Sequence, residues 1–170
     1  MSSTKKAKTD GAMRLGQGPA RTEEPARLTI THRNGQYVYW AEDEDEEFRE
    51  ILEIASDTVL PWIQVTRLNT PSRNEYVRKH LRKYAKVGAT NVPPEIREKV
   101  VRDSVAHCTL QDWGHIALPS GEIVEYSPEA GVEAFKADPD FYEAVMGAAA
   151  NEDYHREKGL KEEAEALGEA

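Results

Sequence analysis

Apolar positions along this chain change their spacing several times, and each change marks an element. Leu28, Ile30 and His32 alternate with Thr29 and Thr31, the chain turns at Asn34-Gly35, and Gln36 to Tyr39 returns, so Arg27 to Trp40 is expected to be a β-hairpin. Phe48, Ile51, Leu52 and Ala55 then follow the i, i+3, i+4, i+7 spacing of a helix, behind the acidic run Glu42 to Glu47, whose carboxylates favour a helix N-terminus. Trp62 to Leu68 alternates again and predicts a strand. Ser72 with Glu75 reads as a capping box that opens a helix from Arg73 to about Lys86.

After a loop at Val87 to Val92, Pro93-Pro94 starts a helix expected to run to Trp113. Ala106, Leu110 and Trp113 lie on one face of it, Val101, Val105 and Cys108 form a second apolar side, and Gly114 is expected to let it stop. A second hairpin is predicted from Ile116 and Leu118 through Pro119-Ser120-Gly121 to Ile123, Val124 and Tyr126. Two helices follow at Ser127-Pro128 and Asp138-Pro139, where Ser127 and Asp138 can accept from free amides and each proline takes the first helical position. In the last of these, Phe141, Val145 and Ala148 make one stripe, with Tyr142, Met146 and Ala149 beside it. The reading is an α+β fold, a mainly helical single domain with short β-hairpins. Its expected limits are a disordered arm at 1–26, the domain at 27–154 and a polar helical tail at 155–170.

Composition narrows the classes. The chain has 170 residues and is 39% hydrophobic, enough for one core with polar ends. A net charge of −9 favours solubility and argues against a general polyanion binder. Cys108 is the single cysteine, which rules out a disulfide within one chain and suits a reducing compartment. No apolar run approaches the roughly 20 residues of a membrane helix, and the N-terminus lacks the apolar centre of a signal peptide. A soluble cytoplasmic protein is expected.

Catalytic patterns are missing. Glu42 to Glu47 lacks the glycine turn and spaced ligands of a calcium loop. His107 and Cys108 are adjacent on a helix and diverge, so no metal is expected, and Cys108 on an apolar side reads as a small buried hydrophobe. Gly16-Gln17-Gly18 lies in the polar arm and does not follow a strand, so it is not a phosphate loop. The chain is therefore read as a non-enzyme without cofactor. One segment has a pattern of its own: Arg78, Lys79, Arg82, Lys83 and Lys86 share a basic helical face, with Tyr76, Val77, His80, Leu81 and Tyr84 assigned to the other side. A solvated outer face is the plain explanation, and a nucleic-acid surface the alternative.

The order Ala106, Leu110, Trp113, Ile116, Gly121-Glu122, Tyr126-Ser127-Pro128-Glu129, Asp138-Pro139 and Phe141 resembles the pattern of bacteriophage tail assembly chaperones of long-tailed phages. The likeness extends upstream to Val65-Thr66-Arg67 and Arg73-Asn74-Glu75-Tyr76, and spans roughly Ile63 to Tyr154. It implies a protein that binds the tape measure protein, keeps it soluble in the host cell cytoplasm and helps recruit tail tube subunits, with self-association as a further option and no membrane partner. Such work calls for an apolar groove rimmed by charge. Ile116, Tyr126, Phe135, Phe141, Tyr142 and Met146 are the candidate lining residues, and Trp113 is assigned to the core. The alternatives are a structural virion subunit of the tail or head-tail connector and, less favoured, a nucleic-acid-binding regulator using the basic helix 73–86.

Overall fold

A computed structural model describes residues 24–85 and 92–156. The expected first hairpin is strands β1 (Ala26–Arg33) and β2 (Gln36–Ala41). Asn34 and Gly35 between them have φ of 52° and 77°, the left-handed pair that matches the twist of a two-residue hairpin. Strand β3 (Trp62–Val65) adds antiparallel to the other side of β1, and β4 (Leu110–Gly114) to β3, giving the order β2-β1-β3-β4. Leu28 sits opposite Ala41 and Ile63, Ile63 opposite Trp113, and Val65 opposite Leu110 across a bulge, so these side chains share one face. Helices α4 (Pro128–Ala137) and α5 (Pro139–Ala150) bring Phe135, Phe141, Val145 and Ala148 onto that face. The result is one α+β domain with a mainly helical content, within a compact unit spanning Thr22–His155.

The opposite sheet face is closed at one end. Trp40 alternates to that side and is 0% exposed, because Phe48 stacks on it at 5.2 Å with the rings 6° from parallel, and its indole N–H donates to Asp45 at 2.8 Å. Phe48 and Asp45 belong to α1 (Asp45–Ile51), which continues a 3₁₀ turn at Glu42–Glu44. The acidic run thus starts a helix as its charge predicts. The helix is shorter than the periodicity suggested: it stops at Ile51, which is 65% exposed, and Ala55 lies beyond it. Arg49 explains the stop, since its guanidinium donates to the carbonyls of Ala55 and Thr58 at 2.7 and 3.0 Å and holds that stretch as a loop.

The expected helix to Trp113 is corrected. Helix α3 (Pro94–Ser104) widens into a π-helical turn at Val105–Thr109 and passes directly into β4, so Leu110 and Trp113 are strand residues. Groups distant in sequence take up the carbonyls that this change frees. Tyr126 donates its hydroxyl between Ala106 O and Leu110 O, 2.8 Å from the latter, while Thr109 O accepts the Thr66 amide at 2.9 Å. Ala106, Leu110 and Trp113 are all buried as expected, but the sheet and the helices bury them together. Gly114 does not end a helix either. It makes room for the Trp62 indole, whose Nε1 would lie 2.1 Å from any Cβ placed there.

Caps follow the sequence closely downstream and less so upstream. The Ser127 hydroxyl accepts from Ala130 N at 3.0 Å and the Asp138 carboxylate from Phe141 N at 3.1 Å, as their Ser-Pro and Asp-Pro steps predicted. The other Asp138 oxygen accepts the Tyr37 hydroxyl, tying α5 to β2. Helix α2 (Pro71–Ala85) starts before Ser72, with Thr70 Oγ1 accepting from Arg73 N at 3.4 Å, so Thr70 is its cap and Pro71 fills the first turn. The second hairpin is reduced to one bridge, Ala117 with Ile123, around Gly121 at φ 90°. Residues 1–23 of the expected arm, Lys86, positions 87–91 of the loop and the Glu- and Ala-rich 161–170 stretch lie outside the described residues.

One buried titratable group leads to a pH prediction. His155 is 1% exposed; its Nε2 donates to Ala148 O at 3.2 Å and its Nδ1 has no partner. Burial lowers its pKa below the ordinary 6.5, against the pull of the Ala148 carbonyl. Below that value the unfolded chain binds a proton that the folded one refuses, so stability is lost as pH falls from about 6.5, by at most about 1.4 kcal/mol per pH unit from this group. A His155→Gln variant should show a shallower loss in urea titrations between pH 6.5 and 5. Parallel pH profiles would reject the assignment.

Candidate functional site

The six apolar candidates fall into two groups. Phe135 and Phe141 are 2% and 5% exposed and sit in the core, 5.9 Å apart, so a partner cannot reach them without opening the fold. Tyr126 is half-buried, edge-on to Trp113 at 5.0 Å, and its hydroxyl is committed to the backbone, which makes it a strut rather than a contact. Its phenol pKa is pushed far up, mainly by burial. Ile116 packs at the margin of the core. Tyr142 and Met146 remain partly accessible, one turn apart on α5, and Tyr142 rests edge-on against Phe135 at 5.1 Å.

Tyr142 brings in two residues that sequence reasoning missed. Arg73 of α2 and Arg102 of α3 both lie close enough to pull its phenol pKa down, against the larger rise from burial and a smaller one from Glu143. Arg73 stands four residues before Val77 and eight before Leu81, on the stripe by which α2 meets the domain. Arg102 stands three and four residues before Val105 and Ala106 on the buried side of α3. Both side chains are only partly buried. The Nε atoms of Arg73 and Arg102 are buried without a hydrogen-bond acceptor, and the contact of Arg102 with Asp103 is 3.8 Å, an ion pair without a hydrogen bond. A basic residue on each apolar stripe was the available signal.

Cys108 adjoins this place. Its thiol lies 3.8 Å from Ser72 O, and burial pushes its pKa up more than the hydrogen bond to Ser72 and the charge of Arg73 pull it down, so it is held as the thiol.

The basic face of α2 is exposed at Arg78, Lys79, Arg82 and Lys83, with Arg78 paired to Glu75. The sequence assigned Tyr76 and His80 to the inner side; the structure places them on its border. Tyr76 stacks between His80 at 4.0 Å and His107 at 5.2 Å, and His80 and His107 are exposed. Two large apolar side chains on the reduced hairpin also face solvent, Leu118 and Ile123, the latter 62% exposed.

Among the described residues no group of three or more His, Cys, Asp or Glu is placed to hold a metal ion, and no helix is long and apolar enough to cross a membrane. No curated protein and no solved structure matches the chain. A family model described as YdaY prophage protein matches residues 68–166, more than half of the sequence, taking in α2 to α5 with Arg73, Arg102, Tyr142 and Met146. The chain therefore belongs to the YdaY prophage protein family and is phage-derived.

Proposed function

We propose that this phage-derived protein is a tail assembly chaperone that acts by binding alone, holding an amphipathic helix of the tape measure protein in solution and helping to recruit tail tube subunits. The observation that carries the reading is the accessible apolar pair Tyr142 and Met146 on α5, with Arg73 and Arg102 near enough to Tyr142 to pull its phenol pKa down. Apolar side chains next to positive charge suit a helix with one apolar face and an acidic margin. The order of motifs from Ala106 to Phe141, which resembles the chaperone family, supports the same reading. Leu118 and Ile123 are further exposed apolar side chains on the reduced hairpin.

The basic row of α2 supports nucleic-acid binding less well. Tyr76 is already stacked with the imidazoles of His80 and His107, which a base would have to displace, and the chain carries a net charge of −9.

Co-expression with the tape measure protein of the same phage provides the test. That protein should stay in the supernatant with the unmodified chain and move largely to the pellet with Met146→Glu, whose purified form should melt within a few degrees of the unmodified protein. A tape measure protein that pellets regardless, or a stoichiometric copy number of this chain in purified virions, would overturn the proposal, the latter in favour of a structural subunit.

A further inference from the structure

We infer that the exposed basic face of α2 receives the acidic face of α1 from a second copy of this chain, so that copies associate head to tail. The contact does not depend on the chaperone reading. Helix α2 carries five basic residues and one acidic, a net charge of +4, in a chain whose total is −9. The stretch from Glu42 to Glu53, which contains α1, carries eight acidic residues and one basic, a net charge of −7. Within one chain the two belong to opposite edges of the sheet. Helix α1 lies against β2, one edge strand, through Trp40 and Phe48, whereas α2 packs on α3 and on the π-helical turn that runs into β4, the other edge strand. Opposite charges held apart in one molecule are left to meet in two.

The two faces also match in spacing. On α2, Arg78 and Arg82 and, beside them, Lys79 and Lys83 repeat at four residues; on α1, Glu46 and Glu50 and, beside them, Glu47 and Ile51 do the same. All eight side chains are exposed, so each helix presents two short rows with a step of roughly 6 Å. Asp45 and Arg49 are engaged on the inner side of α1, with each other, with Trp40 and with the loop to Thr58, which leaves the outer carboxylates to the solvent face. Ile51 is 65% exposed at the end of that face, and Val59, tied close to Arg49 through the Thr58 carbonyl, is 68% exposed. Glu53 keeps an exposed carboxylate just past α1 at a φ of 57°, a conformation that local preference gives to glycine. Exposed ion pairs are weak singly and screened by salt, so the rows and the apolar margin act together and the contact weakens as ionic strength rises. A polyanion would meet the same basic row, but the net charge of −9 opposes its approach. Because the two surfaces differ, the contact is heterologous and adds copies into a chain or a ring.

Sedimentation velocity on the full chain provides the test. At about 50 mM salt, where the screening length is about 14 Å, the average mass should rise with concentration to at least double the 19.1 kDa of one chain. Near about 1 M salt, where that length is about 3 Å, it should return to one chain. A variant carrying Lys79→Glu, Arg82→Glu and Lys83→Glu and another carrying Glu46→Lys, Glu47→Lys and Glu50→Lys should each stay monomeric at low salt, and an equal mixture of the two should associate again. Each set shifts the net charge of −9 by six, to −15 and −3, so both variants remain negative and bulk attraction does not account for the recovery. Thermal melts separate a lost contact from a lost fold, and the single reversals Arg82→Glu and Glu50→Lys serve where a triple variant does not fold. A chain that stays monomeric at every concentration at low salt, association that survives in either variant alone, or a mixture no heavier than its parts would each overturn the inference. So would a single-stranded oligonucleotide that binds the unmodified chain as a monomer and spares the variant with the reversed α2 face, since that face would then serve a polyanion.

Discussion

Trp40→Ala is expected to cost about 3–5 kcal/mol, the range for removing a large buried aromatic side chain. The indole fills the closed end of the sheet's second face at 0% exposure, stacks on Phe48 and donates to Asp45. Asp45 in turn pairs with Arg49 at 2.8 Å, and Arg49 holds the carbonyls of Ala55 and Thr58, so one side chain anchors everything from Glu42 to Thr58. Without it, six consecutive acidic residues have little reason to stay folded against one another. Urea denaturation should show the loss, and limited proteolysis should open a new cut between residues 42 and 60. Trp40→Phe keeps an aromatic ring there but removes the donor to Asp45, which stays paired with Arg49 and partly hydrated, so a smaller loss of about 0.5–1.5 kcal/mol is expected from the hydrogen bond. A change below about 1 kcal/mol for the alanine variant would mean that α1 is an ornament on the sheet.

Gly114→Val is expected to destabilise by roughly 1–3 kcal/mol, the usual cost of forcing volume into a packed site. The added Cβ would lie 2.1, 2.3 and 2.6 Å from Nε1, Cε2 and Cζ2 of Trp62, so the indole must leave its place across β4. It would then lose the Arg27 guanidinium that lies 4.0 Å above its ring. Trp113 adjoins Gly114 in β4, so a red shift of tryptophan emission in this variant is assigned to Trp62 by repeating the measurement in a Trp62→Phe background, which should abolish it. Unchanged emission and stability would contradict the flat placement of that ring.

The two substitutions probe different kinds of legibility. That Trp40 is apolar and at the end of a hairpin was plain from alternation, but its burial was not, because the face opposite the core is usually solvated in such hairpins. The cover came from Phe48, whose helix was expected for its charge and whose stripe was expected to extend farther. Gly114 was read as a helix stop because it followed an apparent helical face. Three apolar residues at spacings of four and three fit a helix equally well whether or not the backbone changes form between them, and the change at Val105–Thr109 is accompanied by bonds from Thr66 to Thr109 and from Tyr126 to Leu110, 43 and 16 residues apart in chain order.

The candidate site divides in the same way. Tyr142 and Met146 were named from α5 periodicity and remain reachable, while Phe135 and Phe141, chosen by the same rule, fill the core. Periodicity identifies an apolar stripe without saying which part of it another element covers. Arg73 was named only as part of the resemblance and Arg102 not at all, although each occupies a position on an apolar stripe.

By itself the sequence determined the features whose causes lie within a few residues: the Asn34-Gly35 turn, the Ser127 and Asp138 caps ahead of their prolines, and the apolar stripe of α5. Only the tertiary structure decided that Trp113 is a strand residue, that Gly114 yields to Trp62, and that the Nε atoms of Arg73 and Arg102 are buried without an acceptor. Local dihedral preference and capping act through neighbours in the chain, whereas burial and unpaired charge depend on which distant segments come together.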